Sequence, residues 1–213
     1  MLGNVCAIFD MDGTLADTSR LTIPAFAHAA KEMSAPPPPD ELVMKAIGIN
    51  GIGFYSMVYP EASADFLQEI TKKVEYWEQA MWVELGPSLL FPGVLDLLDA
   101  LKDLGATLAV ASTGSPEHVY GVLTATKIKP YFDTIECNDN DKPAEVRKII
   151  AKYPGFRFFM TGDKPKDADA AKANEIPGIG VGYGFSAPEE LTGFDVVAGV
   201  PEDILSYIKA TVR

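Results

Sequence analysis

The sequence is short of several things. Among its 213 residues there are two cysteines, Cys6 and Cys137, and two histidines, His28 and His118. Two cysteines cannot build a disulfide framework, so both read as buried or neutral thiols. Neither histidine has a nucleophile at a suitable spacing, so a hydrolytic triad is not expected and both read as structural. No apolar run approaches the roughly 18 residues that span a bilayer. The start of the chain also lacks a basic stretch followed by a long apolar one. The expectation is a soluble, cytoplasmic protein with no membrane partner. Positive charge is scarce as well: 18 Lys and Arg face 30 Asp and Glu, a formal charge of −12. That balance repels nucleic acid backbones, so no nucleic acid partner is expected, and an anionic substrate would need a local positive site.

Hydrophobic residues make up 47% of the chain, enough for one large domain or a core carrying a smaller insert. Short apolar segments at 4–9, 107–112, 132–137, 157–162, 178–184 and 195–199 read as buried strands. Helical patterns separate them: 92–105, which opens with Pro92-Gly93 and closes at Gly105, then 116–126, 143–152 and 168–174. This alternation predicts an α/β fold, a Rossmann-like parallel sheet with helices on both faces. Residues 16–88 break the rhythm. Helical patterns at 15–33, 40–47, 54–58 and 62–83, with a proline run at 36–39, read as an inserted all-α segment.

The first strand ends in Asp10-Met11-Asp12-Gly13. Residues i and i+2 of an extended segment point the same way. Two carboxylates so placed repel each other unless a cation lies between them or one is protonated, and by this reasoning Asp12 should have its pKa raised. Ligands of such sheets bind at the carboxyl ends of the strands. There the sequence also delivers Ser112 and Thr113 after the second strand, Lys142 after the third, and Asp163 and Asp167 after the fourth. The acids make an oxygen-rich site of the kind Mg²⁺ prefers. Lys142 and the Ser112 hydroxyl are donors that a phosphate needs, and Gly13 allows a tight turn.

FDMDGTLADTS resembles the first motif of the haloacid dehalogenase-like hydrolase superfamily. TLAVAS, NDKPAEV and TGDKPKDADAAKANEIPGIGVGYG resemble its second, third and fourth motifs, in that order. FPGVLDLLDALKDLG resembles the segment after the helical cap in the phosphoglycolate phosphatase-like branch. The resemblance implies a core domain of 1–15 plus 89–213 and a helical cap domain of 16–88. It implies a Mg²⁺-dependent phosphatase acting on a small phosphorylated metabolite, phosphoglycolate first, through an aspartyl-phosphate. Asp10 would be the nucleophile. Asp12 would be the general acid and then the base, its backbone carbonyl also on the metal. Asp163 would bind the metal with Asp167 in support. Ser112, Thr113 and Lys142 would hold the phosphoryl group. Oligomeric state is expected to be monomer or homodimer.

Within the cap, the loop of IGINGIG offers Asn50 and Gly51 as specificity candidates. Tyr76, Trp77 and Trp82 read as cap core, Lys148 and Lys152 as a solvated helix face, and Asp139 and Asp141 as turn residues. Lys164 stands where Ser is frequent in relatives, and Thr113 where Asn is common. Three other activities fit these residues less well. A dehalogenase lacks the second acid and does not need the metal. A β-phosphoglucomutase-like enzyme carries a histidine where this chain has Thr22. A non-catalytic binding protein would have no need of Asp10, Asp12, Lys142 and Asp163 together.

Overall fold

The computed structural model describes residues 1–212. Six strands form one parallel sheet: β1 (Val5–Phe9), β2 (Thr107–Ser112), β3 (Thr134–Cys137), β4 (Arg157–Gly162), β5 (Gly178–Val181) and β6 (Val196–Ala198). Their spatial order is β3-β2-β1-β4-β5-β6. The order therefore reverses between β1 and β4, which is where a doubly wound sheet opens a crevice for a ligand.

The central strands read as apolar runs because both faces of the sheet are covered there, whereas the edge strands β3 and β6 are only partly buried. On β1, Val5, Ala7 and Phe9 join one buried cluster, while Cys6 and Ile8 join another. The first face is covered by α5 (Val94–Asp103), α6 (Pro116–Ala125) and α9 (Pro201–Thr211) through Leu98, Leu101, Val122, Ile204 and Ile208. The second is covered by α7 (Lys142–Lys152) and α8 (Pro165–Ala173) through Val146, Ile149, Ala170 and Ala171. Burial pushes the Cys6 thiol up to about 12, so it is neutral as expected.

Between β1 and α5 lie α1 (Ser19–Glu32), α2 (Asp40–Ala46), α3 (Ile52–Val58) and α4 (Ala64–Leu85). These four helices gather a separate apolar cluster around Phe26, Tyr55, Ile70 and Val74. Phe26 meets Phe54 edge-on with ring centroids 5.5 Å apart. Ala16 and Leu90 form an isolated antiparallel bridge where the chain leaves and re-enters the sheet domain. Among the described residues no helix is long and apolar enough to cross a membrane.

Several expected boundaries shift, each for a visible reason. The first helix begins at Ser19, not at residue 15, because Leu15 and Ala16 are folded back onto the carbonyl of Met11. The fifth strand ends at Val181 because the chain then turns so that Phe185 N can donate to Asp163. The helix after β4 starts at Pro165, earlier than expected, since proline at its first position loses no intrahelical bond. Of the aromatic residues assigned to the cap core, Trp77 is half-buried and stacks on His28 at 4.3 Å, but Tyr76 is 65% exposed.

Candidate active site

Four strand ends build the site. Asp10 follows β1 and continues its pairing, its N–H donating to Thr161 O on β4. Gly13 takes φ +77°, and a side chain there would collide with the Asp163 carboxylate. Gly162 likewise leaves room for the carboxyl of Asp167. Asp167 Oδ2 accepts the N–H of Lys164, which closes the first turn of α8. Lys164 thus contributes its backbone there, and its ammonium lies over the ring of Phe185. Lys142 enters as the first residue of α7, a helix capped by Asp141, whose Oδ1 accepts from Ala144 N. Glu145 Oε1 steadies the preceding loop by accepting from Asp139 N.

Asp10, Asp163 and Asp167 each place a carboxylate oxygen within 4.8 Å of the others. Lys142 Nζ lies 2.5 Å from Asp10 Oδ1 and 2.5 Å from Asp167 Oδ1. All four side chains are buried. Burial pushes Asp163 up to about 7, with Asp10 and Asp167 adding to the shift. Asp10 is pushed up to about 6, burial outweighing the attraction of Lys142. The Lys142 ammonium is lowered by burial but raised further by Asp10 and Asp167, and ends above its ordinary range. Asp163 Oδ1 is buried with no hydrogen-bond partner among the described residues. A buried, unpaired carboxylate oxygen beside two more carboxylates is a donor set that a hard, oxygen-seeking divalent cation fits.

The hydroxyls lie on the adjoining strand. Ser112 Oγ accepts from Gly114 N at 3.2 Å, and Thr113 Oγ1 donates to Gly48 O at 2.8 Å. Lys166 Nζ reaches the same two groups, Gly48 O at 2.8 Å and Thr113 Oγ1 at 2.7 Å. Burial and the neighbouring Lys142 hold the Lys166 ammonium below its usual pKa.

Asp12 behaves unlike the expectation. Burial acts to raise its carboxyl, but His118, with smaller help from Thr18 and Lys166, brings it below the usual range. His118 Nε2 lies 2.9 Å from Asp12 Oδ1, and its Nδ1 lies 3.4 Å from Glu78 Oε2. Held between two carboxylates, the imidazole has a pKa well above 6.5 in spite of its burial. Glu78 Oε1 in turn accepts from Thr22 Oγ1 at 2.6 Å. A cavity of about 120 Å³ opens beside Asp12, and Asn50, Gly51, Phe54, Tyr55 and Glu75 are among its walls.

The structure therefore brings Asp10, Asp12, Ser112, Thr113, Lys142, Asp163 and Asp167 to one edge of the sheet, and sets Asn50 and Gly51 on the cavity next to Asp12. Lys148 and Lys152 pair with Asp139 and Glu136 on the surface. His118, Lys166, Glu78 and Thr22 were not foreseen as part of the site. Two of them carried a signal. His118 sits in the first turn of the helix after β2, and Lys166 lies between the acids Asp163 and Asp167. Glu78 and Thr22 depend on how the helical segment packs and carried none.

The family model described as haloacid dehalogenase-like hydrolase matches residues 7–181. The chain belongs to the haloacid dehalogenase-like hydrolase family. Over 195 residues this hydrolase-family chain is 30% identical to a phosphoglycolate phosphatase of Agrobacterium fabrum, covering 84% of the chain and 81% of that protein. It is 27% identical over 209 residues to a phosphoglycolate phosphatase of Caulobacter vibrioides, covering 92% and 87%. A crystal structure described as a predicted phosphoglycolate phosphatase from Haemophilus somnus superposes with a TM-score of 0.85 at 22% identity, covering 98% of this chain and 99% of that one, which supports the shared fold.

Proposed function

We propose that the protein is a Mg²⁺-dependent phosphatase that hydrolyses a small phosphorylated metabolite through an aspartyl-phosphate on Asp10. The observation that carries this is the buried cluster at the β1–β4 crevice: Asp10 with Lys142 Nζ at 2.5 Å, beside Asp163 and Asp167. Asp10, Asp163 and the backbone carbonyl of Asp12, with Asp167 in support, would hold Mg²⁺, whose charge offsets the repulsion between a carboxylate and a phosphate dianion when it is bound.

Lys142, Ser112 and Thr113 hold the phosphoryl oxygens. Asp10 attacks phosphorus as the bond to the leaving oxygen breaks, and a proton passes to that oxygen from Asp12. Because His118 keeps Asp12 ionised and is itself protonated, the proton originates on His118 Nε2 and crosses to Asp12 Oδ1. In the second half, Asp12 takes a proton from water, the water oxygen bonds to phosphorus, and the Asp10 carboxylate leaves. Residues 16–88 act as a cap over a core of 1–15 and 89–213, and keep bulk water from the acyl phosphate.

The reaction is assigned to the cytoplasm and to a monomer or homodimer. The relatives' names make phosphoglycolate the first compound to try. Phosphate release from a panel of phosphomonoesters tests the proposal. Chelation should stop turnover, Mg²⁺ should restore it, and Ca²⁺, with its larger and looser shell, should restore it poorly. Full activity in chelator contradicts the assignment.

A further inference from the structure

The site has two sides with different chemistry. Lys142 and Lys166, its two ammonium groups, both belong to the phosphate side. Lys142 is held by Asp10 and Asp167, and Lys166 by Thr113 and the carbonyl of Gly48. The cavity of about 120 Å³ lies beyond Asp12, on the side of the leaving group. No lysine or arginine lines it among the described residues. Its charged walls are Asp12, Glu75, Glu78 and His118; the histidine is engaged by Asp12 and Glu78, and Glu78 by His118 and Thr22, which leaves Glu75 as the charge without a partner among the described residues. Phe54 and Tyr55 form an aromatic wall beside them.

Phosphoglycolate carries a carboxylate two atoms from its ester oxygen. In this cavity that carboxylate would face Glu75, and the nearby cations are already engaged, His118 by Asp12 and Glu78 and Lys166 by Thr113 and the carbonyl of Gly48, so like charge would be left unrelieved. An ammonium in the same place meets the Glu75 carboxylate and aromatic rings, a lining suited to an alkylammonium group. We propose that the substrate is the phosphomonoester of a small amino alcohol, its ammonium received by Glu75 beside Phe54 and Tyr55 while Ser112, Thr113 and Lys142 hold the phosphoryl group. This rests on the phosphatase reading and replaces phosphoglycolate as its preferred substrate.

Three esters of nearly equal size test it: 2-aminoethyl phosphate, 2-hydroxyethyl phosphate and phosphoglycolate, with 4-nitrophenyl phosphate as a control. The kcat/KM of the ammonium ester should exceed that of the hydroxyl ester by about tenfold and that of the carboxylate ester by about a hundredfold or more. Glu75→Gln should bring the ammonium and hydroxyl esters towards parity, and Glu75→Lys should favour the carboxylate ester, with unchanged melting temperatures as the check on folding. If phosphoglycolate is the fastest of the three, or all three are equal while the aryl ester is hydrolysed, this inference falls and the phosphatase reading stands. If no ester releases phosphate, that reading falls and takes this inference with it.

Discussion

On the phosphate side of the site, acids and cations are packed against one another: three carboxylates within 4.8 Å, and a lysine touching two of them. On the other side, acids, a histidine and aromatic rings surround a cavity that no lysine lines among the described residues. The first side is made by strand ends and by α7 and α8, with both faces of the sheet locked in buried clusters. The second is made largely by the helical insert, which has its own small core and packs Met81, Trp82 and Leu85 of α4 against that of the sheet domain. On the proposed reading, the chemistry would sit on the strand ends and the discrimination on the insert. Asp10 and Asp12 show the same contrast at close range. They are two residues apart, yet burial drives Asp10 up while His118 draws Asp12 down.

The largest expected effect strikes the phosphate side. Asp10→Asn keeps the size of the side chain and removes the nucleophile. Turnover of alkyl and aryl phosphates alike should fall by about a thousandfold or more, since no other group can accept the phosphoryl. Steady-state rates on purified, folded variant decide it, and activity above about a hundredth of the parent refutes the assignment.

Next comes the junction between the two sides. His118→Asn removes the proton source behind Asp12, so kcat on an alkyl phosphate should drop by roughly ten- to a hundredfold. 4-Nitrophenyl phosphate, whose leaving oxygen needs no proton, should be hydrolysed within about threefold of the parent rate. Equal losses on both esters would make His118 a merely structural prop.

A smaller effect belongs to the leaving-group side alone. Asn50→Ala should lower kcat/KM for the best metabolite by about tenfold, the size of one lost polar contact, and leave the aryl ester nearly unchanged. No loss on either ester would reduce the 47–53 loop to a turn and move the search for specificity to Phe54 and Tyr55 on the same cavity.

The smallest effect is on stability. Asp163 at about 7 and Asp10 at about 6 hold protons in the folded chain that the unfolded chain has lost above about 4. Folding therefore loses support as pH rises from 5 to 7. His118 acts in the same direction, its raised pKa giving stability that is lost above neutral pH. Asp12, with a lowered pKa, gives a constant contribution over that range. In chelator the melting temperature should fall by about 4 °C or more between pH 5 and pH 8. A flat or rising profile from thermal melts would show that these carboxylates are not desolvated as described.

Much of this was legible from residues alone. The four central strands announced themselves because a parallel strand buried on both faces cannot alternate with polar residues, while the edge strands β3 and β6 are only partly buried and carry a weaker signal. The acids were legible because a carboxylate directly after an apolar run has few structural reasons to be there. What escaped depended on distant packing. His118 meets Asp12 across 106 positions of sequence, so neither its role nor the sign of the Asp12 shift could be read locally. Like-charge repulsion from Asp10 was the visible cue, but the upward push on Asp12 in the fold comes from burial, and the His118 imidazole outweighs it. The ends of β5 and α1 were missed for a related reason: each is set by a loop that must satisfy the site rather than by its own propensity.

The carbonyl of Gly48 receives hydrogens from both Thr113 Oγ1 and Lys166 Nζ. It is a peptide oxygen of the helical insert held by two side chains of the sheet domain, so both donors are satisfied by the chain itself. A buried donor left without a partner costs about 1–3 kcal/mol, so moving the 47–53 loop away from the strand ends means breaking or replacing both bonds at once. A loop whose sequence says little is thereby tied to the position of Thr113 and Lys166.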